Sequence, residues 1–466
     1  MKGIAIGLSN NSKEILKRLK KTEFVKDIYI AGSSKENGKE NELIQVQKPR
    51  EILLKKWPKI DLIIFIGSIA ASIRIINPFL TSKDQDPGVI VIDNKCSKIV
   101  PLIGLHQSNT QNISCQIANL LGGEIIETNN SNDQSLLNLD AFGNQWGWKR
   151  SGEINDWSKL VIKQAKNEEI FCKQLSGNSL WKTSESAEII NQIDKKENEK
   201  PDSTFHVSIF ENHGTTWHPP VLWIGIGCER NTSKELIANS LNNLLESGNL
   251  SQQSIAGFAT IDIKKDEKGI LELSEEKNLP IKFFNKKDLS TIIVPNPSNV
   301  VQKEIGTPSV AEASCLLAAG EESKLLEEKR IFKNQSGAVT IAVAESKNQY
   351  NPTHGEIHII GSGPGDISFL TNNARKALSR CTVWIGYKMY LDLIKPLKRN
   401  DQVLIESKLT EEKERCSKAI KLAEEGIKVA LISSGESGFY GMAGLLLELL
   451  QKIKKEYRPY FGYIQV

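Results

Sequence analysis

Two glycine-rich turns near the end of the chain carry residue types and spacing able to do chemistry. Gly361-Ser-Gly-Pro-Gly-Asp366 follows the apolar run IHIIG, and Ser433-Ser-Gly-Glu-Ser-Gly-Phe-Tyr-Gly-Met-Ala443 follows KVALI. Bare backbone of this kind admits a ligand closely, or simply lets a tight strand-to-helix turn adopt positive φ. The first turn is not a nucleotide-triphosphate loop. Its third glycine falls one residue early for a dinucleotide fingerprint, and no Lys-Ser or Lys-Thr pair follows. Asp366 also puts negative charge where phosphate would lie. Both turns leave the carboxyl ends of strands, the edge at which open α/β sheets bind ligands. A third candidate is Cys228, after the run VLWIGIG and before a helix predicted to begin near Thr232-Ser233. The positive end of that helix would favour a thiolate, and a packed small residue is the alternative.

The elements that must position these groups follow from periodicity. The 466 residues suffice for about three cores. Over the first 125 residues GIAIGL, DIYIAG, DLIIFIGSI and GVIVID read as strands alternating with helices, which predicts a parallel α/β sheet. Residues 126–220 are polar and read as a middle region and linker, with ENHGTTWHPP as a connector and 193–204 as a mobile loop. Residues 221–347 repeat the strand and helix alternation, and 355–466 do so again, ending on the strand-like GYIQV. The fold class is therefore α/β, with three successive α/β units.

Composition narrows the function. Sixty basic against 56 acidic residues give a net charge of +4 without long single-sign blocks, so a nucleic-acid surface is not expected. Seven isolated cysteines lack disulfide or metal spacing, which points to a reducing cytoplasm. His213 and His218 have no carboxylate or cysteine at ligand spacing, so no protein-bound metal is expected. The run LIIFIGSIAASI stops at Arg74, short of the roughly 20 residues a membrane span needs.

The last unit resembles the first domain of the tetrapyrrole (class III) methyltransferases, most closely the precorrin-3B C(17)-methyltransferase family. The resemblance rests on Gly361-Ser-Gly-Pro-Gly-Asp366, Gly386-Tyr-Lys-Met-Tyr-Leu-Asp392, Leu409-Thr-Glu-Glu412 and Ser434 to Ala443. It implies S-adenosylmethionine as cofactor, bound between two α/β domains, and methylation of a corrin precursor with contraction of its ring. Gly361, Gly363, Pro364, Gly365, Asp366 and Tyr387 would border the substrate. Ser434, Gly435, Glu436, Gly438, Tyr440, Gly441 and Met442 would face the cofactor. Glu436-Ser437 stands where the family has Asp-Pro. The family's second domain would follow Val466, so the sequence reads as cut there, and this chain alone is not expected to methylate.

Residues 1 to about 345 resemble the cobalt-precorrin-5A hydrolase family. The matching stretches in the first unit are Phe65 to Ala70, Arg74, Asp86-Pro87, Val91-Ile-Asp93 and Pro101-Leu102 with His106. In the second they are Gly225-Ile-Gly-Cys-Glu-Arg230, Ala259-Thr-Ile-Asp262, Pro295-Asn-Pro-Ser298 and Gly306-Thr-Pro-Ser-Val-Ala-Glu-Ala313. The family opens a lactone on the macrocycle and releases a two-carbon aldehyde. Such chemistry needs an activated water, a base and oxyanion donors. His106 is then the candidate base, although Gln107-Ser108-Asn109 follows it where the family has glycines. Cys228 and Asp262 complete the catalytic candidates. Arg74 and Arg230 would clamp substrate carboxylates, and Glu312 would bind a polar substrate edge or cap its helix. Tyr387 and Tyr390 would stack on the macrocycle or pack in a core.

The resemblance thus implies a bifunctional enzyme of cobalamin biosynthesis in the cytoplasm. Its partners would be corrin intermediates, with cobalt present only inside the substrate, and other pathway enzymes or a second copy of the chain. Two other readings stand beside it: a non-catalytic carrier of corrin intermediates, and a plain nucleotide-binding α/β protein.

Overall fold

The computed structural model describes residues 2–22, 24–31, 43–46, 48–81, 86–104, 110–126, 136–194, 201–211, 214–335, 337–363, 365–435, 442–454 and 457–464. Two compact units divide the chain, residues 1–130 and 131–466.

The first unit is built on β1 (Gly3–Gly7), β2 (Val25–Ala31), β3 (Leu43–Val46), β4 (Leu62–Ile66), β5 (Gly88–Ile92), β6 (Lys98–Ile103) and β7 (Glu124–Ile125). They lie in the order β3-β2-β1-β4-β5-β6-β7. GIAIG, LIIFI and GVIVI are buried along their whole length, as strands covered on both faces must be. The sheet is not wholly parallel as predicted, because β6 runs antiparallel to β5. The reason is local. Asp93 accepts N–H bonds from Lys95 (3.2 Å) and Lys98 (2.7 Å), and Cys96 takes a left-handed φ of 58°, which closes a hairpin.

Residues 136–218 differ most from expectation. They are not a linker but a five-stranded α/β layer. Its strands are β8 (Lys149–Ser151), β9 (Ile170–Gln174), β10 (Ile190–Gln192), β11 (Thr204–Val207) and β12 (Thr216–His218), in the order β10-β9-β11-β12-β8. Five of the chain's eight tryptophans fall here, and Trp146, Trp148, Trp157, Trp181 and Trp217 are all buried around Phe142 and Phe205. A few large rings make this core, so the average composition stays polar. Within the expected mobile loop 193–204, residues 195–200 lie outside the described residues, and Thr204 begins β11.

The next sheet holds β13 (Leu222–Cys228), β14 (Ile255–Ile261), β15 (Ile281–Phe284), β16 (Lys324–Asn334) and β17 (Gly337–Glu345), in the order β15-β14-β13-β17-β16. β13, β14 and β15 are parallel, and β17 returns antiparallel to both β13 and β16. β16 is an edge strand, half-exposed and charged, with two register shifts. The last sheet, β18 (Glu356–Gly361), β19 (Val383–Tyr387), β20 (Val403–Ser407), β21 (Lys428–Ser433) and β22 (Tyr460–Ile464), is parallel throughout, in the order β20-β19-β21-β18-β22.

The amino edges of β13–β15 and of β18–β21 meet the middle sheet at the carboxyl ends of β9, β11 and β12. Gln349, fully buried, accepts from Trp148 Nε1 (2.8 Å) and donates to the carbonyls of Trp146 (2.6 Å) and Glu425 (2.7 Å). Tyr457 donates to the carbonyl of Ile281, the first residue of β15, at 2.6 Å. Gln145 bonds Asp401 and the hydroxyl of Thr382, both just ahead of strands. The tryptophan core of residues 136–218 is continuous with the core under β18, β19 and β21.

Candidate functional site

On the β13–β15 sheet the matched stretches converge on one edge. Gly225 is where they touch: a Cβ there would lie 1.8 Å from the Ala311 carbonyl, so only glycine lets the helix Ala311–Ala319 pack onto β13. Cys228 ends β13, and Asp262, half-buried, follows the neighbouring β14. The loops beyond them are tied by charge. Arg230 donates to Asp266 Oδ1 (2.6 Å) and to the Ile263 carbonyl (2.7 Å), and lies 3.7 Å from Glu267. Glu267 is buried, pairs with Lys264 at 3.0 Å and accepts the Asn231 N–H at 2.8 Å. Arg230 therefore joins two loops of this edge, rather than standing free as a clamp for substrate carboxylates.

Cys228 departs from its expected role. Burial pushes its thiol up to about 11, so it is held protonated at neutral pH and is not an activated thiolate. The helix cap lies beyond it: Ser233 caps Lys234–Ser247 by accepting the Leu236 N–H.

Glu312 is fully buried and does not cap its own helix. Its Oε1 accepts from Asn296 Nδ2 (3.0 Å) and from the backbone N–H of Lys329 (3.2 Å). Lys329 lies in the bulge of β16, where Glu328 and Lys329 face Ala342 of β17 and an N–H is left over. Ser298 N–H donates to the Pro308 carbonyl at 2.7 Å, so two matched stretches are also joined directly. Asn296 bonds Glu328 at 2.8 Å, and Lys329 Nζ reaches the Asn296 carbonyl. Glu328 and Lys329 escaped the sequence reading because β16 lacks apolar alternation. Ile263, Ile293, Val300 and Ile331 are exposed apolar side chains of this edge and its loops.

In the first unit, His106 lies outside the described residues. Arg74 is exposed near the end of the helix Ile69–Ile76, and its guanidinium has no partner among the described residues. Asp86 accepts the Thr81 N–H at 3.0 Å, and Asp93 shapes the hairpin.

At the carboxyl edge of β18–β21 the two glycine turns are joined at their bases. Ser362 N–H donates to the Ser433 carbonyl (2.9 Å), and Gly363 N–H to the Gly435 carbonyl (3.3 Å). Gly363, Gly365 and Gly435 have φ of 62°, 108° and 55°, and a Cβ on Gly435 would meet nothing within 4 Å. Gly361 ends β18. Asp366 accepts the Ser368 N–H at 2.7 Å, and that bond holds its carboxyl below the usual range. Tyr387 and Tyr390 form an edge-to-face pair at 5.3 Å, both half-buried. Ser434 is exposed, but Met442 is buried in the core beneath the sheet instead of facing a cofactor. Pro364, Glu436, Gly438, Tyr440 and Gly441 lie outside the described residues. Among the described residues no cluster of three or more His, Cys, Asp or Glu could hold a metal, and no helix is long and apolar enough to cross a membrane.

These edges coincide with what known families share with the chain. The description Cobalamin synthesis G N-terminal matches residues 51–132, and Cobalamin synthesis G C-terminus matches 222–344. Tetrapyrrole (Corrin/Porphyrin) Methylases matches 356–459. The chain thus carries segments matching both cobalamin-synthesis-G descriptions, followed by one matching the tetrapyrrole methylases. It is 27% identical to the cobalt-precorrin-5A hydrolase of Priestia megaterium over 365 residues, 73% of this chain and 93% of the relative. It is 47% identical to the cobalt-factor III methyltransferase of the same organism over 96 residues. A probable cobalt-factor III C(17)-methyltransferase of Salmonella typhimurium is likewise 47% identical, over 98 residues. The chain spans 18% and 40% of the lengths of these two methyltransferases. It is thus homologous to enzymes of cobalamin biosynthesis in both parts.

Proposed function

We propose that this protein hydrolyses the lactone of cobalt-precorrin-5A, releasing acetaldehyde, with cobalt entering only as part of the substrate. The carrying observation is the convergence of the four matched stretches of residues 225–313 on the β13–β15 edge, where Gly225, Arg230, Glu312 and Asn296 lock them together. Exposed apolar side chains and lysines on these loops suit a flat macrocycle fringed with carboxylates. Asp262, half-buried after β14, orients the attacking water. Arg74, exposed and without a partner among the described residues, remains a carboxylate clamp. Cys228 takes no part, because a thiol held protonated is a poor nucleophile.

The methylase segment binds S-adenosylmethionine. The described part of its turns fits that group: Gly363 and Gly435 present bare backbone, and no described residue lies within 4 Å of a Cβ on Gly435. Ser434 and Gly435 hold the cofactor, which supplies an electrophilic methyl group, while Tyr387 and the 361–366 turn border the macrocycle. Intermediates of the corrin pathway are the partners, in a cytoplasmic setting.

The test is acetaldehyde release from cobalt-precorrin-5A. The parent chain and Cys228→Ala should release it at similar rates, whereas Asp262→Asn should lose about 10²-fold or more. Corrin binding without aldehyde would replace this reading with that of a carrier.

A further inference from the structure

Residues 149–218 lie between the two segments matched by the cobalamin-synthesis-G descriptions, and they hold a polar pair that lactone opening as proposed does not use. Ser151 ends β8 and His218 ends β12, on adjacent antiparallel strands. Lys149 stands opposite His218, so Ser151 is two positions along on the same face, within reach of the ring. Ser151 Oγ lies 2.7 Å from His218 Nε2, and His218 Nδ1 lies 2.8 Å from the Ser208 carbonyl oxygen. A carbonyl oxygen can only accept, so Nδ1 carries the ring proton. In the neutral ring Nε2 is then the acceptor, and the Ser151 hydroxyl donates to it. The imidazole is wholly buried, while Ser151 is half-buried at its strand end. Gly152, the next residue, and Gly214 are both exposed and lie close to one another. A Cβ on Gly152 would lie 2.6 Å from the Gly214 carbonyl, whereas one on Gly214 would meet no described residue within 4 Å.

We propose that Ser151 is an acyl-accepting nucleophile, with His218 as its base and the Ser208 carbonyl fixing the imidazole tautomer. The substrate class is an ester or lactone. As Ser151 Oγ bonds to the acyl carbon, its proton passes to His218 Nε2. The bond from that carbon to the alcohol oxygen then breaks, and the alcohol leaves with the proton. Water, deprotonated in turn by His218, attacks the acyl carbon, and the proton returns to Ser151 as the acid departs.

The probe is a fluorophosphonate applied to the full chain, with the adduct located by peptide mass spectrometry. One adduct, on Ser151, is expected, forming at least about tenfold more slowly in a folded His218→Gln variant. No adduct on Ser151, or equal rates in that variant, would overturn the assignment. Should His218→Gln not fold, Ser151→Cys decides the matter. A thiolate held by the imidazolium is alkylated by iodoacetamide at rates that persist below pH 7. An unassisted thiol slows about tenfold per pH unit below roughly 8.5, and that profile would refute the pairing.

Discussion

The carboxyl edges of β13–β15 and of β18–β21 are both candidate sites, yet their loops are held by opposite means. On the first, side chains do the holding: Arg230 spans two loops, and Glu312 fixes Asn296 and the β16 bulge. On the second, backbone meets backbone through Gly363 and Gly435, and the named side chains bond locally, as Asp366 does to Ser368. Charged cross-ties preorganise a site before any ligand arrives. Glycine junctions leave shape to be completed by what binds. The amino edges invert this contrast, because there both sheets lean on the same buried hub around Gln349 and the tryptophan core.

Breaking the shared hub should give the largest effects. Trp181 is fully buried and donates to Gln174 at 3.0 Å. Trp181→Ala should cost about 3–5 kcal/mol. Because the core is continuous, it should lower the unfolding midpoint reported by the methylase segment as well as by residues 136–218. Separate transitions in calorimetry, only one of them shifted, would mean that the two regions are merely adjacent. Gln349→Ala comes next. It leaves the Trp148 N–H and the buried carbonyls of Trp146 and Glu425 without their shared partner, a loss of about 3 kcal/mol visible in denaturant titration.

A smaller, pH-dependent effect would sharpen the comparison by isolating the last sheet. Glu356 opens β18 and meets His358 (2.9 Å), Lys428 (3.1 Å) and Arg380. Burial alone would raise its carboxyl, but these partners hold it down to about 2, against an ordinary 4.5. A depressed folded-state pKa means stability fully present above about 4.5 and lost as pH falls toward about 2. Glu356→Gln should flatten that acid limb for the methylase segment and leave aldehyde release at neutral pH unchanged. An unaltered acid limb would place the acid-sensitive groups elsewhere.

Much of this was legible in the chain. Continuous apolar runs such as LIIFI and KVALI announced buried parallel strands, and ordered stretches such as Gly306 to Ala313 announced the families, because both signals are local. The layer of residues 136–218 was not legible. Its core consists of a few tryptophans spaced far apart among polar residues, and only folding brings Trp146, Trp181 and Trp217 together. Site chemistry divides the same way. That Arg230 would find a carboxylate followed from its type, but that the carboxylate is Asp266, 36 residues on, is a matter of which loops share an edge. The type of Cys228 suggested a nucleophile, and the surrounding burial removed it. Sequence by itself determined the buried parallel strands such as LIIFI and KVALI and the glycine-rich turns that follow them, since each depends on a residue and its near neighbours. The tertiary structure alone decided which charges meet and which thiol stays protonated, because burial and pairing are properties of distant segments brought together.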